Sequence, residues 1–262
     1  VVFGRVALGS ITLLIVAKYR GISLPKGKVT WFQLWIVSML LNVLPGYLFA
    51  LAEVHVTSVL AGIINACTPF ATLIFILLLS KDEKLKNYQI IGLLTGAIGV
   101  AIVIGVWNGF GSNPIPSVIA LFGAISCYGL SYPFIRRFLT PKKLQPESLA
   151  AAQLTTGAVT LFPFFIYHGI TSFNPSIKAI LGMLALGIFG SGIAYIWNFR
   201  IVEVAGSAVA SSVTYLTPVV AVVVGWLFLG ENLSWKEPLG AIVVVFGAAL
   251  AQGRFKKIKE KA

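Results

Sequence analysis

The stretch YLTPVVAVVVGWLFLGEN, residues 215–232, is an apolar run that is interrupted by Pro218 and Gly225 and closed by Glu231. A proline inside a water-exposed helix costs about 3 kcal/mol, because it removes a hydrogen bond and crowds the preceding turn. In lipid, a proline is tolerated where neighbouring helices or polar side chains satisfy the freed carbonyl group. The stretch therefore predicts an interrupted membrane helix, in which Thr217 is a candidate donor to that carbonyl.

The composition of the whole chain is typical of an integral membrane protein. Of its 262 residues, 58% are hydrophobic and only 11% are charged, whereas a soluble domain carries about 25% charged residues. The net charge is +12, but the basic residues form short groups between apolar runs. A nucleic-acid-binding surface would need them clustered on one folded face. We therefore predict an all-α polytopic membrane protein whose surroundings are a lipid bilayer, with no nucleic-acid partner.

Nine apolar runs are candidate transmembrane helices. A helix needs about 20 apolar residues to cross the hydrocarbon core, whereas strands of a membrane barrel need about 9–11 residues with alternating polarity. The runs are too long and too uniform for such strands. The predicted spans are Val2–Ala17, Trp31–Ala52, Val56–Ser80, Tyr88–Trp107, Ile115–Ile135, Ser148–Tyr167, Ile177–Phe199, Ser207–Leu229 and Pro238–Gly253.

The positions of lysine and arginine predict the orientation of these spans. If the basic tail GRFKKIKEKA lies in the cytoplasm and the spans alternate, all but three of the 20 basic residues fall on the inner side. The exceptions are Arg5, Lys178 and Lys236. This bias is what the positive-inside rule expects, so we predict a cell-membrane protein with a cytoplasmic C-terminus. Nine spans then place the first residue, Val1, outside, and we expect that a first helix is missing.

An internal repeat links the opening stretch to an earlier one. Thr68-Pro69 and Thr217-Pro218 are 149 residues apart, as are Ser58 and Ser207. After one deletion, a second set of residues continues the match at a spacing of 148, pairing Glu83, Leu85, Gly92 and Gly99 with Glu231, Leu233, Gly240 and Gly247. The copies start five spans apart and therefore enter the bilayer in opposite directions. Inverted repeats with interrupted helices are a building plan of secondary transporters.

Pro69 and Pro218 are accordingly predicted to be helix hinges. The alternative is that each proline merely kinks a packed helix, since proline is generally tolerated in membrane helices. Both prolines follow a threonine, and Thr68 is therefore the second candidate donor to a freed carbonyl group.

The serine-rich helix start, the mid-helix proline, the G-E-x-L motif and the glycine-rich helix of residues 206–251 resemble the EamA repeat of the drug/metabolite transporter superfamily. Residues 57–106 resemble it less well, with SKDE at 80–83 where the pattern favours Gly-Glu, and FGRVALGSITLLIVA extends the match to the N-terminus. The resemblance implies ten helices in two inverted halves around a central cavity. It divides the chain into a first repeat lacking its first helix (1–107), a second repeat (115–253) and a basic tail (254–262).

Uncharged polar and aromatic side chains inside the spans are candidate substrate-binding residues, because polar groups are costly in a membrane and therefore informative. They predict a hydrogen-bonding, aromatic-lined pocket for an amphipathic or aromatic solute. The candidates are Asn42, Tyr47, Asn65, Tyr128, Tyr132, Tyr195, Asn198, Ser211 and Tyr215. Helix packing is the alternative role for each of them. We expect no charge deep in the spans, since Glu53, Arg200 and Glu203 lie at span ends.

No catalytic residue, metal ligand or cofactor is predicted. The two histidines lie at span ends, the cysteines have no visible partner, and there is no ATP-binding motif. The sequence therefore favours a secondary transporter, an exporter or exchanger, rather than an enzyme. Its substrates would be small organic metabolites such as amino acids, carried by alternating access of the two repeats. The alternative is a non-transporting membrane protein or an inactive truncated remnant.

Overall fold

The computed structural model describes residues 1–56, 58–79, 86–104, 107, 114–169, 176–217, 219–220 and 235–251. All regular structure in these segments is helical. Pro218, Glu231 and the basic tail, which the sequence singled out, lie outside the described residues.

The helices follow the apolar runs. The first five are α1 (Val2–Tyr19), α2 (Lys28–Glu53), α3 (Ser58–Ala66), α4 (Thr68–Leu79) and α5 (Asn87–Ile104). The next five are α6 (Ile115–Phe138), α7 (Pro146–Gly169), α8 (Ile177–Ala205), the short α9 (Ser207–Ser211) and α10 (Lys236–Ala251). A 3₁₀ turn, Ser212–Tyr215, follows α9. Eight of the nine predicted spans thus coincide with described helices, and the span at 207–229 is described only in part.

The exposed surface of these helices is apolar enough to require lipid. Five helices, α1, α2, α6, α7 and α8, are long and apolar enough to cross a bilayer. Only 17% to 44% of the residues in their most apolar windows are buried inside the protein. Large apolar side chains such as Ile11, Leu77 and Ile242 are more than half exposed. Hydrocarbon is the medium in which such surface is stable, so the fold is that of a polytopic membrane protein.

The described chain forms two compact units. The first consists of Val1–Gly46 and Phe134–Val204, and the second of Tyr47–Pro133 and the residues from Ala205 onward. Each unit combines segments from both halves of the sequence. Packing therefore groups the helices differently from the predicted repeats, whose boundaries remain a prediction.

The first unit is held together by α1, which packs on α7 and α8. Gly9 makes the close approach possible, because a Cβ atom there would lie 3.1 Å from the Gly187 carbonyl oxygen. The hydroxyl groups of Ser10 and Thr155 are 2.8 Å apart and join α1 to α7. Small residues at a membrane helix contact let backbones approach and increase dispersion attraction, which is the main source of association in lipid.

The second unit is built around the antiparallel contact of α5 with α10. A Cβ atom on Gly92 would lie 2.2 Å from the Ala251 backbone nitrogen, and one on Gly99 would lie 3.0 Å from the Gly240 carbonyl oxygen. Gly247 is equally close to α5. The sequence repeat pairs Gly92 with Gly240 and Gly99 with Gly247. The two copies therefore use equivalent glycines against each other, as a two-fold related contact requires.

The Thr68-Pro69 motif divides the predicted span 56–80 into α3 and α4, which meet at Cys67. Pro69 has no N–H group and cannot donate to the Asn65 carbonyl, four residues earlier. The Thr68 hydroxyl donates to that carbonyl instead, at 2.7 Å. The predicted role of Thr68 is confirmed. The hinge role of Pro69 stays a prediction.

Two of the long helices contain π-helical segments. The segment in α2 is Met39–Val43, and the one in α8 is Leu186–Ile193. At the 149-residue spacing of the repeat, α2 and α8 start at equivalent positions and the first segment falls within the second. Pro45 and Gly46 do not break α2, since the helix continues through both residues and its irregular turn lies just before them. Such π segments occur frequently at functional sites.

Candidate functional site

Tyr195 and Asn42, two of the predicted binding residues, meet in the first unit. The Tyr195 hydroxyl donates to the Asn42 Oδ1 atom at 2.7 Å and lies 3.4 Å from the Leu41 carbonyl oxygen. Asn42 lies in the π segment of α2, and Tyr195 lies two residues after the π segment of α8. Pro45 cannot donate to the Leu41 carbonyl, so Tyr195 supplies a polar contact at an irregular point of α2.

Arg5 of α1 joins this pair. Its Nε atom donates to the Ser191 Oγ atom at 3.2 Å, and its guanidinium group also lies beside the Tyr195 hydroxyl. Ser191 is fully buried and lies at the middle of the 29-residue helix α8. We call Arg5, Asn42, Ser191 and Tyr195 the polar cluster. Its members come from three helices that are far apart in sequence and contact one another in the same unit.

The expectation that no charge lies deep in a span is wrong for Arg5. Its side chain reaches the centre of α8, although its backbone lies in the first turns of α1. The ion pairs formed within the described part of the chain are Arg20–Glu147 and Arg200–Glu203, so no acidic side chain described here pairs with Arg5. The sequence signal was available, because Arg5 is the one charged residue in the predicted span Val2–Ala17.

Buried polar atoms of the first unit have unused hydrogen-bonding capacity. Asn42 Nδ2, Ser38 Oγ and both polar atoms of the Gln153 amide have no hydrogen-bond partner among the described residues. Asn42 is 3% exposed, and the other two side chains are fully buried. An unsatisfied buried polar group costs about 1–3 kcal/mol and calls for an explanation. In a membrane protein, such groups are functional candidates. The sequence did not point to Ser38 and Gln153, because a serine or glutamine in an apolar run can equally well have a role in helix packing.

Tyr215 and Ser211 belong to the second unit and make packing contacts there. Tyr215 is fully buried, and its hydroxyl donates to the Leu93 carbonyl at 2.8 Å. A Cβ atom on Gly96 would lie 2.6 Å from the Tyr215 ring. Ser211 donates to the Ala208 carbonyl of its own helix at 3.1 Å. These contacts favour the packing alternative, while a substrate-binding role for either residue stays a prediction.

The remaining candidates are dispersed along the helices. Tyr128 packs against a phenylalanine ring with centroids 6.2 Å apart, Tyr132 is buried, and Asn65 is half-buried beside the Thr68-Pro69 motif. Tyr47 is 62% exposed. Asn198 belongs to the first unit and is half-buried about one turn beyond Tyr195 on α8. A substrate-binding role for each of these five residues stays a prediction.

The polar cluster can bind a polar solute by hydrogen bonding and charge. It holds a guanidinium group, a phenol, a serine hydroxyl and a carboxamide, and it contains no carboxylate. Across the residues that the structure describes, no group of three or more His, Cys, Asp or Glu side chains could hold a metal ion. The hydrogen-bonding and charged groups of the cluster therefore suit recognition of a polar ligand.

Comparison with known proteins identifies relatives over nearly the whole chain. The sequence profile of the EamA-like transporter family matches residues 1–105 and 115–252. The chain is 26% identical to the uncharacterized transporter YvbV of Bacillus subtilis, covering 98% of this chain and 83% of that protein. It is 28% identical to the uncharacterized inner membrane transporter YedA of Escherichia coli, covering 94% and 78%. A protein of known crystal structure has the same fold, with a TM-score of 0.81 at 21% identity over 95% of this chain and 86% of that one.

Proposed function

This chain belongs to the EamA-like transporter family, whose members are membrane transporters rather than enzymes, and we propose that it is a secondary carrier of small organic metabolites such as amino acids. The observation that carries the proposal is the polar cluster, which gathers four hydrogen-bonding side chains beside two π segments. Intramembrane polar groups typically mark a substrate pathway. Transport would be export or exchange.

The two π segments support a carrier that changes conformation. A π segment contains hydrogen bonds that can return to the α pattern with a small change of register. Leu186–Ile193 also contains three glycines, which tolerate such backbone changes better than other residues. We propose that the repeats alternate between an inward-open and an outward-open arrangement, and that substrate contacts are made and broken at the π segments. The basic tail would lie in the cytoplasm throughout the cycle.

Transport by the full-length protein in proteoliposomes tests this function. Efflux and counterflow of radiolabelled amino acids should saturate with substrate concentration, and Asn42→Ala should raise the KM. Thr12→Val is a matched control, because the Thr12 hydroxyl donates only to the Leu8 carbonyl of its own helix. If Asn42→Ala and Thr12→Val transport with the same KM as the unmodified protein, the polar cluster is not the substrate site. If no solute is moved by well-folded protein, the carrier function itself is refuted.

A further inference from the structure

We propose that Arg5 binds a carboxylate group, so that the ligands of the polar cluster are amphipathic monocarboxylates. The transport of these ligands rests on the proposed carrier function, whereas their binding does not. The inference starts from a charged side chain that reaches the middle of α8, donates to a neutral serine and has no ion-pair partner among the described residues.

The surroundings of Arg5 leave part of its hydrogen-bonding capacity unused. A guanidinium group has five N–H donors in a planar fork. Ser191 accepts a hydrogen bond from the Nε atom, and the Tyr195 hydroxyl lies beside the group. An arginine within a membrane helix is costly unless it pairs with an anion or reaches water, and its presence there is therefore a functional signal. A carboxylate is the planar, two-oxygen acceptor that a guanidinium fork fits best.

Asn42 supplies a second unsatisfied donor within the polar cluster. The Tyr195 hydroxyl donates to Asn42 Oδ1, which leaves the Asn42 Nδ2 group without an acceptor among the described residues. The hydroxyl also lies beside the Arg5 guanidinium group, so the three side chains form a continuous polar path. Two members of the cluster thus have unused N–H donors, which are complementary to an acceptor-only group, and an ionised carboxylate is such a group.

Charge balance selects a monoanion. Arg5 is the one charged member of the polar cluster, and a single positive charge neutralises one carboxylate. A phosphate ester carries about −1.5 to −2 charges at pH 7 and would leave an excess negative charge in a low-dielectric setting. The half-buried apolar side chains of the same helices suit the rest of an amphipathic molecule. Ionised aryl and alkyl carboxylic acids meet both conditions.

Ligand-induced thermal stabilisation of the purified full-length protein in detergent tests the proposal. The probes are 3-phenylpropionate and other aryl or alkyl carboxylates, each compared with its primary amide, which keeps the shape and removes the negative charge. The acids should raise the melting temperature and the amides should not. Arg5→Gln should raise the apparent Kd of the acids about 10- to 100-fold, the loss expected for a charge-assisted hydrogen bond. Arg5→Lys, which keeps the charge, should fall between Arg5→Gln and the unmodified protein.

Arg20→Gln is the matched control. Arg20 is also an arginine of the first unit, but its side chain is 66% exposed and pairs with Glu147. This substitution should leave the response to the acids unchanged. The proposal is overturned if the amides stabilise as well as the acids, if no acid stabilises, or if Arg5→Gln responds like Arg20→Gln. If Arg5→Gln does not fold, the proposal is still tested by the comparison of acids with amides on the unmodified protein and by the Arg5→Lys variant.

Transport assays separate this inference from the carrier function. If the acids bind through Arg5 but no solute crosses proteoliposome membranes, the binding inference stands and the carrier function fails. If amides are transported as fast as acids and Arg5→Gln has no effect, the carrier function stands and the carboxylate inference fails.

Discussion

Replacing Gly247 with alanine should destabilise the protein through the contact between α5 and α10. The added Cβ atom would lie 2.4 Å from the Gly96 backbone nitrogen and 2.7 Å from the Gly96 Cα atom. Both atoms belong to the backbone, so the clash cannot be relieved by rotating a side chain, and the two helices have to separate. Overpacking of this kind costs typically about 1–3 kcal/mol and occasionally more. We expect a value near 3 kcal/mol, at the upper end of that range, because separation also weakens the neighbouring Gly92 contact.

Differential scanning fluorimetry of the purified protein in detergent measures this effect as a drop in melting temperature. Gly62→Ala on α3 is the matched control, because no heavy atom lies within 4 Å of its added Cβ atom. The control should be neutral or slightly stabilising, as alanine has the higher helix propensity. Gly92→Ala should act like Gly247→Ala, and the double variant should lose less than the two losses added together, because the residues share one contact. Equal melting temperatures for Gly247→Ala and Gly62→Ala would refute the close packing of the two helices.

Three further predictions concern two hydrogen bonds and the orientation of the chain in the membrane. Tyr195→Phe should raise the transport KM about fivefold, because it removes one hydrogen bond and a loss of about 1 kcal/mol corresponds to that factor. An unchanged KM would contradict the place of Tyr195 in the polar cluster. Thr68→Val should lower the free energy of unfolding by about 1–2 kcal/mol, because it leaves the carbonyl freed by Pro69 without a donor. Thr12→Val should lower the free energy of unfolding by clearly less, because its hydroxyl donates to the Leu8 carbonyl in regular helix. Equal losses of stability in the two variants would show that the Thr68 hydrogen bond beside Pro69 is not special. In a cysteine-free background, an impermeant maleimide applied to intact cells should label Lys178→Cys and spare Lys259→Cys, and the opposite pattern would reverse the proposed orientation.

The helices and the Thr68 contact could be predicted because they depend on local properties of the chain. An apolar run of sufficient length requires a helix in lipid, where every backbone polar group has to be satisfied within the segment. Pro69 frees a carbonyl four residues earlier, and Thr68 is close enough along the chain to reach it. Neither inference needs knowledge of which helices are neighbours.

The polar cluster could be predicted only in part because it depends on contacts between distant residues. Arg5 and Ser191 are 186 residues apart, and the depth of the Arg5 guanidinium group follows from the packing of α1 on α8. Tyr195 and Tyr215 look alike in sequence, since each is a tyrosine in an apolar run. Packing separates them, because Tyr215 is enclosed by the glycine face of α5 whereas Tyr195 faces polar side chains. The π segments were not predicted either, because apolar residues and glycines such as theirs also occur in regular membrane α-helices.

The repeat also shows where the two halves diverge, and the divergence concerns the polar cluster. At the 149-residue spacing, Asn42 corresponds to Ser191, so both π segments carry a neutral hydrogen-bonding side chain at the equivalent position. Arg5 corresponds to Leu154, which is fully buried against Gly9 in the contact of α1 with α7. The duplicated framework thus supplies matching backbone irregularities from both halves but a cation from only one. A carboxylate bound at Arg5 would therefore have no equivalent partner at Leu154 in the other half, because an apolar side chain offers it neither a charge nor a hydrogen bond.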